Sequence, residues 1–456
     1  MAELRSSDLA AVREQLGREP TTRFSVVARC PGPHPLVIRN QPLDAERKPF
    51  PTLYWLTCPD AVKAVSKLEA EGWIDRLEER FADVLPTVHA AYAEDRARDA
   101  PEARDWGGVG GTRTGLKCLH AHYANHVAGG EDPVGAWVAE RVEPVHPEAE
   151  RVAAIDLGTN SIRLIVVERA GDAEPTELAR DMVITRIGKS VDRTGRIHPE
   201  SLARTVTVLE RYCRRARALH ASRIRAGATS AVRDASNREE LEKAIRLNAG
   251  TDLEVITGER EAELSFLGAT RGLDAPGPYL VLDIGGGSTE FVVGEREPRA
   301  AISTQMGSVR LTERFVSTDP PTGEERRAIQ EAIHRVLDEV RDSVPVADAR
   351  TLVAVAGTAT TIRAIDLDLA FYDPDAIHRS RLSRGSAEAV LERLASMTTP
   401  ERAALPVMAP GREDVIVAGA TILVEVMAGF GFDDALVSET DILDGLALEL
   451  IEGSLT

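Results

Sequence analysis

At 456 residues the chain is too long for one ordinary core, so two or three domains are expected. Apolar residues make up 43% and charged residues 28%, a soluble globular balance, and no run reaches the ~18 to 20 apolar residues of a membrane span. A formal charge of −18 argues against a general nucleic-acid binder, and four cysteines without a CxxC pair exclude a disulfide framework.

The N-terminus, MAELRSSDLAAVREQLGREP, is amphipathic and has no apolar signal core, so a cytoplasmic location is expected. Only 6 of the 55 basic residues are Lys, a skew that follows a GC-rich genome more than a function. Residues 1–148 hold Cys30, Cys58 and Cys118, all four Trp and the Gly-rich stretch Gly107–Gly111. With His34, His120 and His122 those cysteines offer Zn²⁺ ligand types. Their spacings match no standard zinc knuckle, and burial for packing is the competing reading. The polar segment Glu143–Glu150, EPVHPEAE, suits a linker to a second unit.

From Val152 the pattern is α/β. Val152–Ile155 and Ser161–Val167 read as strands. Pro199 opens a helix with Leu202, Val206, Leu209, Cys213, Ala216 and Leu219 on one face, which makes Cys213 a core residue. A strand follows at RIRAGAT, and Asn237 with Glu240 predicts a capping box. Leu280–Ile284, Glu290–Val293 and Thr351–Ala356 are further strands, the last leading through Gly357-Thr358 into a helix. Strands alternating with helices imply a buried sheet covered on its faces.

One unit is repeated. AIDLGTNSIRLIVVE and VLDIGGGSTEFVVG share an apolar strand, an aspartate, a Gly-rich turn with hydroxyls and a second strand, with Asp156 and Asp283 separated by 127 residues. Two related halves facing across a cleft are expected. The turns offer Gly158, Thr159, Asn160 and Ser161 on one side and Gly285, Gly286, Gly287 and Ser288 on the other. Such turns let backbone N–H groups approach an anion, and aspartates beside them suit a hard cation. Either turn alone is equally compatible with an ordinary hairpin; the matched pair favours a phosphate chain gripped from both sides.

The stretches IDLGTNSIRL, GATSAVRDASN, ITGEREAEL, VLDIGGGSTEFVVG, QMGSVRLTERF, VAGTATTIRAI and SETDILDGLA resemble the exopolyphosphatase / guanosine pentaphosphate phosphohydrolase family of the actin-like ATPase superfamily. The resemblance spans about 300 residues, in the family's order, and matches its short two-domain form. It implies α/β, actin-like (ribonuclease H-like) duplicated halves at 149–276 and 277–456 around a cleft, preceded by a small α+β domain at 1–148. It further implies Glu261 as general base, Asp156, Asp283 and Glu290 as ligands of Mg²⁺ (with Mn²⁺ as an alternative), and Arg163 and Arg233 near substrate phosphates. Gly357 and Thr358 open a helix of the kind that receives phosphate. Thr360 and Arg363 beside them, and Arg310, have surface or helix-start roles as alternatives. Where relatives carry two adjacent glutamates, this chain has Arg260-Glu261, which puts the local charge and pH optimum in question.

Residues from about Asp8 to Trp137, through ARCPGPHPLVI, PFPTLYWLTCP and KCLHAHYA, resemble a small bacterial domain of unassigned activity. Such a domain is often encoded beside a phosphatase of this family in high-GC Gram-positive bacteria. The implied activity is removal of terminal phosphates from polyphosphate or from pppGpp, between which the motifs do not choose. The alternative is a binding protein that senses either anion without hydrolysing it. No nucleic-acid or membrane partner is expected; the residues are silent on oligomeric state, and relatives often form homodimers.

Overall fold

Three sheets, one for each segment of the chain, organise the computed structural model, which describes residues 5–30, 34–44, 46–142, 149–171 and 173–453. The first is an antiparallel meander of β1 (Phe24–Arg29), β2 (Pro35–Asn40) and β3 (Tyr54–Leu56). Helices Pro59–Ala70, Trp73–Phe81, Leu85–Ala97, Leu119–Val127 and Pro133–Ala139 complete this α+β domain. Of the linker segment Glu143–Glu150, residues 143–148 lie outside the described residues, and Ala149 and Glu150 already belong to the next strand.

The second sheet contains β4 (Ala149–Leu157), β5 (Ser161–Ala170), β6 (Thr176–Ile184), β7 (Arg223–Ala228) and β8 (Leu253–Val255), in the order β6-β5-β4-β7-β8. The third contains β9 (Tyr279–Ile284), β10 (Thr289–Gly294), β11 (Pro298–Thr304), β12 (Thr351–Val355), β13 (Ser380–Ser383) and β14 (Asp434–Val437), ordered β11-β10-β9-β12-β14-β13. In both, three antiparallel strands are followed by two parallel ones. The chain therefore holds two copies of one ribonuclease H-like plan, the actin-like duplication. Parallel pairing requires helical crossovers, and long amphipathic helices supply them.

Helix Pro199–Ala218 shows how sequence sets this packing. Pro199 occupies its first turn, where no N–H is needed, and Val206, Leu209, Cys213 and Ala216 are buried. They face β4 and β5 on one side and helix Leu119–Val127 of the N-terminal domain on the other. One apolar cluster therefore runs continuously from Val37 and Leu119 to Leu209 and Ile155.

Asn237 departs from the capping-box expectation. It stands at the N-cap of helix Arg238–Ala249, but its side chain makes no cap bond. Instead Asn237 Oδ1 accepts from Ile197 N (2.8 Å) and Nδ2 donates to Ile197 O (3.2 Å). Two bonds to a buried backbone segment outcompete one to an exposed helix end.

The last helix, Ile442–Glu452, belongs by position to 277–456, yet it packs on β4 and β5 of the other sheet and against helix Gly258–Thr270. The crossing needs two glycines. A Cβ at Gly268 would lie 1.9 Å from Asp441 O, and one at Gly445 would lie 2.0 Å from Leu264 O. We expect Gly445→Ala to destabilise the protein by about 2 to 3 kcal/mol in urea denaturation through overpacking. An unchanged midpoint would show that the two helices part at no cost.

Candidate active site

Both repeats close their turns in the same way. Gly158 N donates to Ser161 O (2.9 Å) and Gly285 N to Ser288 O (3.0 Å), so the amides of Thr159, Asn160, Gly286 and Gly287 are not used by the closing bond. The turns lie against each other. A Cβ at Gly287 would fall 2.4 Å from Ser230 Oγ and 2.7 Å from Thr159 Oγ1, and one at Gly286 would fall 3.1 Å from Thr159 Cβ. Only a bare backbone allows this approach. Helix Ser308–Phe315 braces the second turn through Ser308 N to Gly285 O (3.0 Å) and Val309 N to Gly286 O (2.9 Å).

Between the turns is a cleft of about 140 Å³. The sequence-predicted Asp156, Gly158, Thr159, Asn160, Ser161 and Arg163 reach it from the first half. Asp283, Gly285, Gly286, Gly287, Ser288, Gly357 and Thr358 reach it from the second, with Glu261 on the helix after β8. Arg233 and Glu290 stand behind this lining: Arg233 Nη1 donates to Glu261 Oε2 (3.1 Å) and to Ile256 O (2.8 Å), and Glu290 Oε1 accepts from Ser303 Oγ (2.7 Å).

Glu261 sits in the first turn of helix Gly258–Thr270, which Thr257 caps by accepting from Arg260 N (3.2 Å). The neighbouring Arg260 turns away from the cleft to Glu263 (2.7 Å) and Glu449. The departure from the adjacent-glutamate pattern is therefore absorbed by the surface of the last helix.

The two repeats hold their aspartates in one register beside neighbours of opposite charge, and burial raises both above the ordinary carboxylate range. Asp156 pairs across the ladder with Arg163, and Asp283 with Glu290. Arg163 donates to Asp156 Oδ2 from Nε (3.0 Å) and Nη2 (2.7 Å) and reaches Asp441 with Nη1. Its fork is thus occupied by carboxylates. Asp156 Oδ1 remains buried with no protein partner. Asp283 has the Ser265 hydroxyl at 2.5 Å and no guanidinium bonded to it. Burial first, then Glu290, pushes Asp283 up to about 8, and burial raises Glu290 to about 7. Glu261 is held well above the ordinary carboxylate range by burial and then Glu290, against the pull of Arg233.

Asp441 and Arg412 escaped sequence reasoning. Asp441 caps the last helix by accepting from Leu443 N (3.0 Å), and TDILD reads as nothing more than a cap. Arg412 holds the start of helix Ala356–Asp366 through Gly357 O (3.0 Å) and Thr361 Oγ1 (2.6 Å). That helix begins at Ala356 with φ of 64°, a left-handed conformation that non-glycine residues seldom adopt. Thr360 lines the cleft, whereas Arg363 bonds Ser380 Oγ (2.9 Å) and Asp366. Arg310 is a clamp between halves: it holds Gly287 O (2.7 Å), Asp234 (2.8 Å) and Asp192.

The six N-terminal Cys and His residues do not converge on one site. Cys30 neighbours Cys58, His122 Nδ1 meets Asp132 Oδ2 (2.8 Å), and His34 is exposed. Cys118 and His120 come together with Glu69, the one group with metal-type spacing among the described residues.

Two families match the chain. Residues 164–452 match the Ppx/GppA phosphatase family, and residues 26–140 match a family described as "Protein of unknown function (DUF501)". The chain belongs to the Ppx/GppA phosphatase family. Exopolyphosphatase 2 of Mycobacterium tuberculosis is 46% identical over 313 residues, covering 66% of this chain and 98% of that protein. The bifunctional 3-dehydroquinate synthase/phosphatase of Fusobacterium nucleatum is 32% identical over 312 residues, 66% of this chain and 46% of that one. Among solved structures, an exopolyphosphatase-like protein is similar at TM-score 0.65 and 37% identity, covering 68% of this chain and all (100%) of that one. The Ppx/GppA family member of Aquifex aeolicus is similar at TM-score 0.58 and 32% identity, covering 67% and 99%.

In this Ppx/GppA chain the raised carboxylates tie stability to pH. The folded state keeps protons on Asp283 and Glu290 that unfolded carboxylates release above about pH 4, so stability falls as pH rises toward about 8. We expect the melting temperature in EDTA to fall from about pH 5 to about pH 8. A midpoint that rises with pH in EDTA would contradict this. Gly287→Ala, which intrudes between the turns, should lower kcat/KM about a hundredfold while the fold is kept, as circular dichroism would check.

Proposed function

We propose that the chain is a cytoplasmic exopolyphosphatase that removes terminal phosphates from inorganic polyphosphate, with residues 149–276 and 277–456 as the two halves of its catalytic unit and 1–148 as an appended domain. The observation that carries this reading is the position of Glu261 at the cleft between two matched glycine turns, with Arg233 at 3.1 Å from its carboxylate. The relatives named exopolyphosphatase, aligned over two thirds of the chain, support polyphosphate as substrate.

The residues fit a divalent cation. Asp156 Oδ1 is a buried oxygen without a protein partner, and Glu290 raises the proton affinity of the desolvated Asp283. Because the three carboxylates do not close to direct metal-ligand spacing, the ion would be held partly through water. Asp156, Asp283 and Glu290 would hold Mg²⁺, or Mn²⁺ in its place. When bound there, such an ion would supply charge neutralisation of the phosphates and polarisation of the reacting phosphoryl group. Gly158–Ser161 and Gly285–Ser288 hold phosphate oxygens through their free amides and hydroxyls. Arg233 orients Glu261. A water on Glu261 loses a proton to that carboxylate as its oxygen attacks the terminal phosphorus. The bridging P–O bond breaks, which releases orthophosphate and a chain one phosphate shorter. The raised proton affinity of Glu261 suits it to accept that proton.

The same turns accept the 5′ triphosphate of pppGpp, so assays of polyphosphate, pppGpp and ATP side by side distinguish the substrates. We expect phosphate release from polyphosphate with Mg²⁺. Release from pppGpp alone would transfer the activity to alarmone conversion, and release from none would leave a binding protein. Glu261→Ala should lower kcat by at least about a thousandfold with KM little changed. Retained turnover would place the base elsewhere.

A further inference from the structure

A cavity of about 610 Å³ lies in one part of the interface between the N-terminal domain and the first half, bounded by β1, β2, β6 and helix Pro199–Ala218. Eight arginines and five carboxylates line it, in a chain whose overall balance is −18. Arg5, Arg29, Arg39, Arg98 and Arg180 are each paired with a carboxylate within 3.1 Å. The other three, Arg204, Arg211 and Arg215, come from one helix at spacings of seven and four residues, hence from one face. Arg204 donates to Thr185 O (2.9 Å) and Ser201 Oγ (3.1 Å), neither of which carries charge. Arg211 has carboxylates only at the limit of pairing, Asp95 at 3.9 Å and Asp181 at 4.0 Å, yet against its burial Asp181, Tyr212, Tyr54 and Asp95 together hold its guanidinium above the ordinary value.

Arg215 is the decisive group. It is 3% exposed, and one nitrogen meets Asp181 (3.0 Å). Its Nε and Nη2 are buried without a partner. Burial outweighs Asp181 and pulls this guanidinium below its ordinary value. Unmet charged donors at a buried position cost more than a lost surface contact, and an oxyanion in the cavity, met by a turn of the Arg215 side chain, would accept from two of them and relieve the cost. The stripe from Arg204 to Arg215 runs about 16 Å along the helix, longer than a single oxyanion and suited to several in succession. Arg180, Asp181 and Met182 line both this cavity and the catalytic cleft, so β6 is the wall the two spaces share.

We infer that this interdomain cavity is a second anion site, built to hold a chain of phosphates along Arg204, Arg211 and Arg215. The anion is either the far end of a polyphosphate engaged in the cleft, which rests on the function proposed above, or a separate phosphate-chain effector.

Calorimetric titration of the full chain with inorganic tripolyphosphate, in EDTA to stop turnover, tests the site. Two variants keep the helix intact: Arg211→Ala, and Thr207→Glu, which adds a carboxylate at an exposed position lining the cavity. Both should lose one binding component relative to wild type, or weaken it at least about tenfold, with melting temperature unchanged. Superimposable isotherms for wild type and both variants would overturn the inference. The comparison is a difference of one component, so it stands even where the cleft binds nothing, a failure that the Glu261→Ala kinetics would report separately. Kinetics then name the source. A KM for long-chain polyphosphate raised about tenfold in Thr207→Glu, with kcat and the tripolyphosphate KM unchanged, identifies the far end of the substrate. An unchanged KM beside a lost binding component identifies an effector.

Discussion

Five buried carboxylates gather at and behind one cleft, and two guanidinium groups are bonded to them. Asp156, Glu261, Asp283, Glu290 and Asp441 are each no more than 7% exposed, and Arg163 and Arg233 are the cations bonded to them. Like charges removed from water repel through a low dielectric, and they persist only where the surrounding structure holds them. The sheets do this from both sides, since Asp156 and Asp283 occupy matching ends of β4 and β9. Ser265 and Ser303 add hydroxyl donors to Asp283 and Glu290. The protein alone leaves the second repeat with carboxylates that lack a bonded guanidinium and hold protons above the ordinary carboxylate range.

The duplication explains why the two halves are not interchangeable. Their frames are the same in strand order, turn closure and the register of aspartate against its cross-strand neighbour. At the neighbour's position one repeat has Arg163 and the other Glu290. Burial raises both aspartates above the ordinary carboxylate range, but Arg163 opposes the rise at Asp156 through two hydrogen bonds, whereas Glu290 adds to it at Asp283. One backbone plan thus presents its aspartate beside a guanidinium in one half and beside a second carboxylate in the other.

Much of this was legible in the chain. The strand–turn–strand repeat is readable because glycines and hydroxyls interrupt apolar runs, and helix Pro199–Ala218 because its apolar residues recur at helical spacing. Asp441 was not, because it enters the cleft from a helix cap 158 residues beyond Asp283 and only tertiary folding aims it at Arg163. Strand β6, TELARDMVI, is equally opaque: its charged residues belong to domain interfaces and break the alternation expected of a half-buried strand. Asn237 misleads for a related reason, since its sequence neighbourhood advertises a cap while its bonds go to Ile197.

The position of β6 also accounts for the attachment of the N-terminal domain. As an outer strand of the five-stranded sheet it presents an open edge, a feature that proteins cover or charge. Here β1 lies beside it, and Arg5 reaches Glu177 (2.9 Å) while Ser7 reaches Asp375 (2.6 Å) in the second half. The N-terminal domain thus touches both halves of the catalytic unit and shares one apolar core with the first. Across that seam, close packing accompanies an arginine-lined void. Gly129 sits where a Cβ would lie 2.9 Å from Arg211 O, so the domain is seated against the helix that carries the arginine stripe. A seam packed this tightly on one side and left open and cationic on the other is shaped by two demands, closure of a sheet edge and room for an anion.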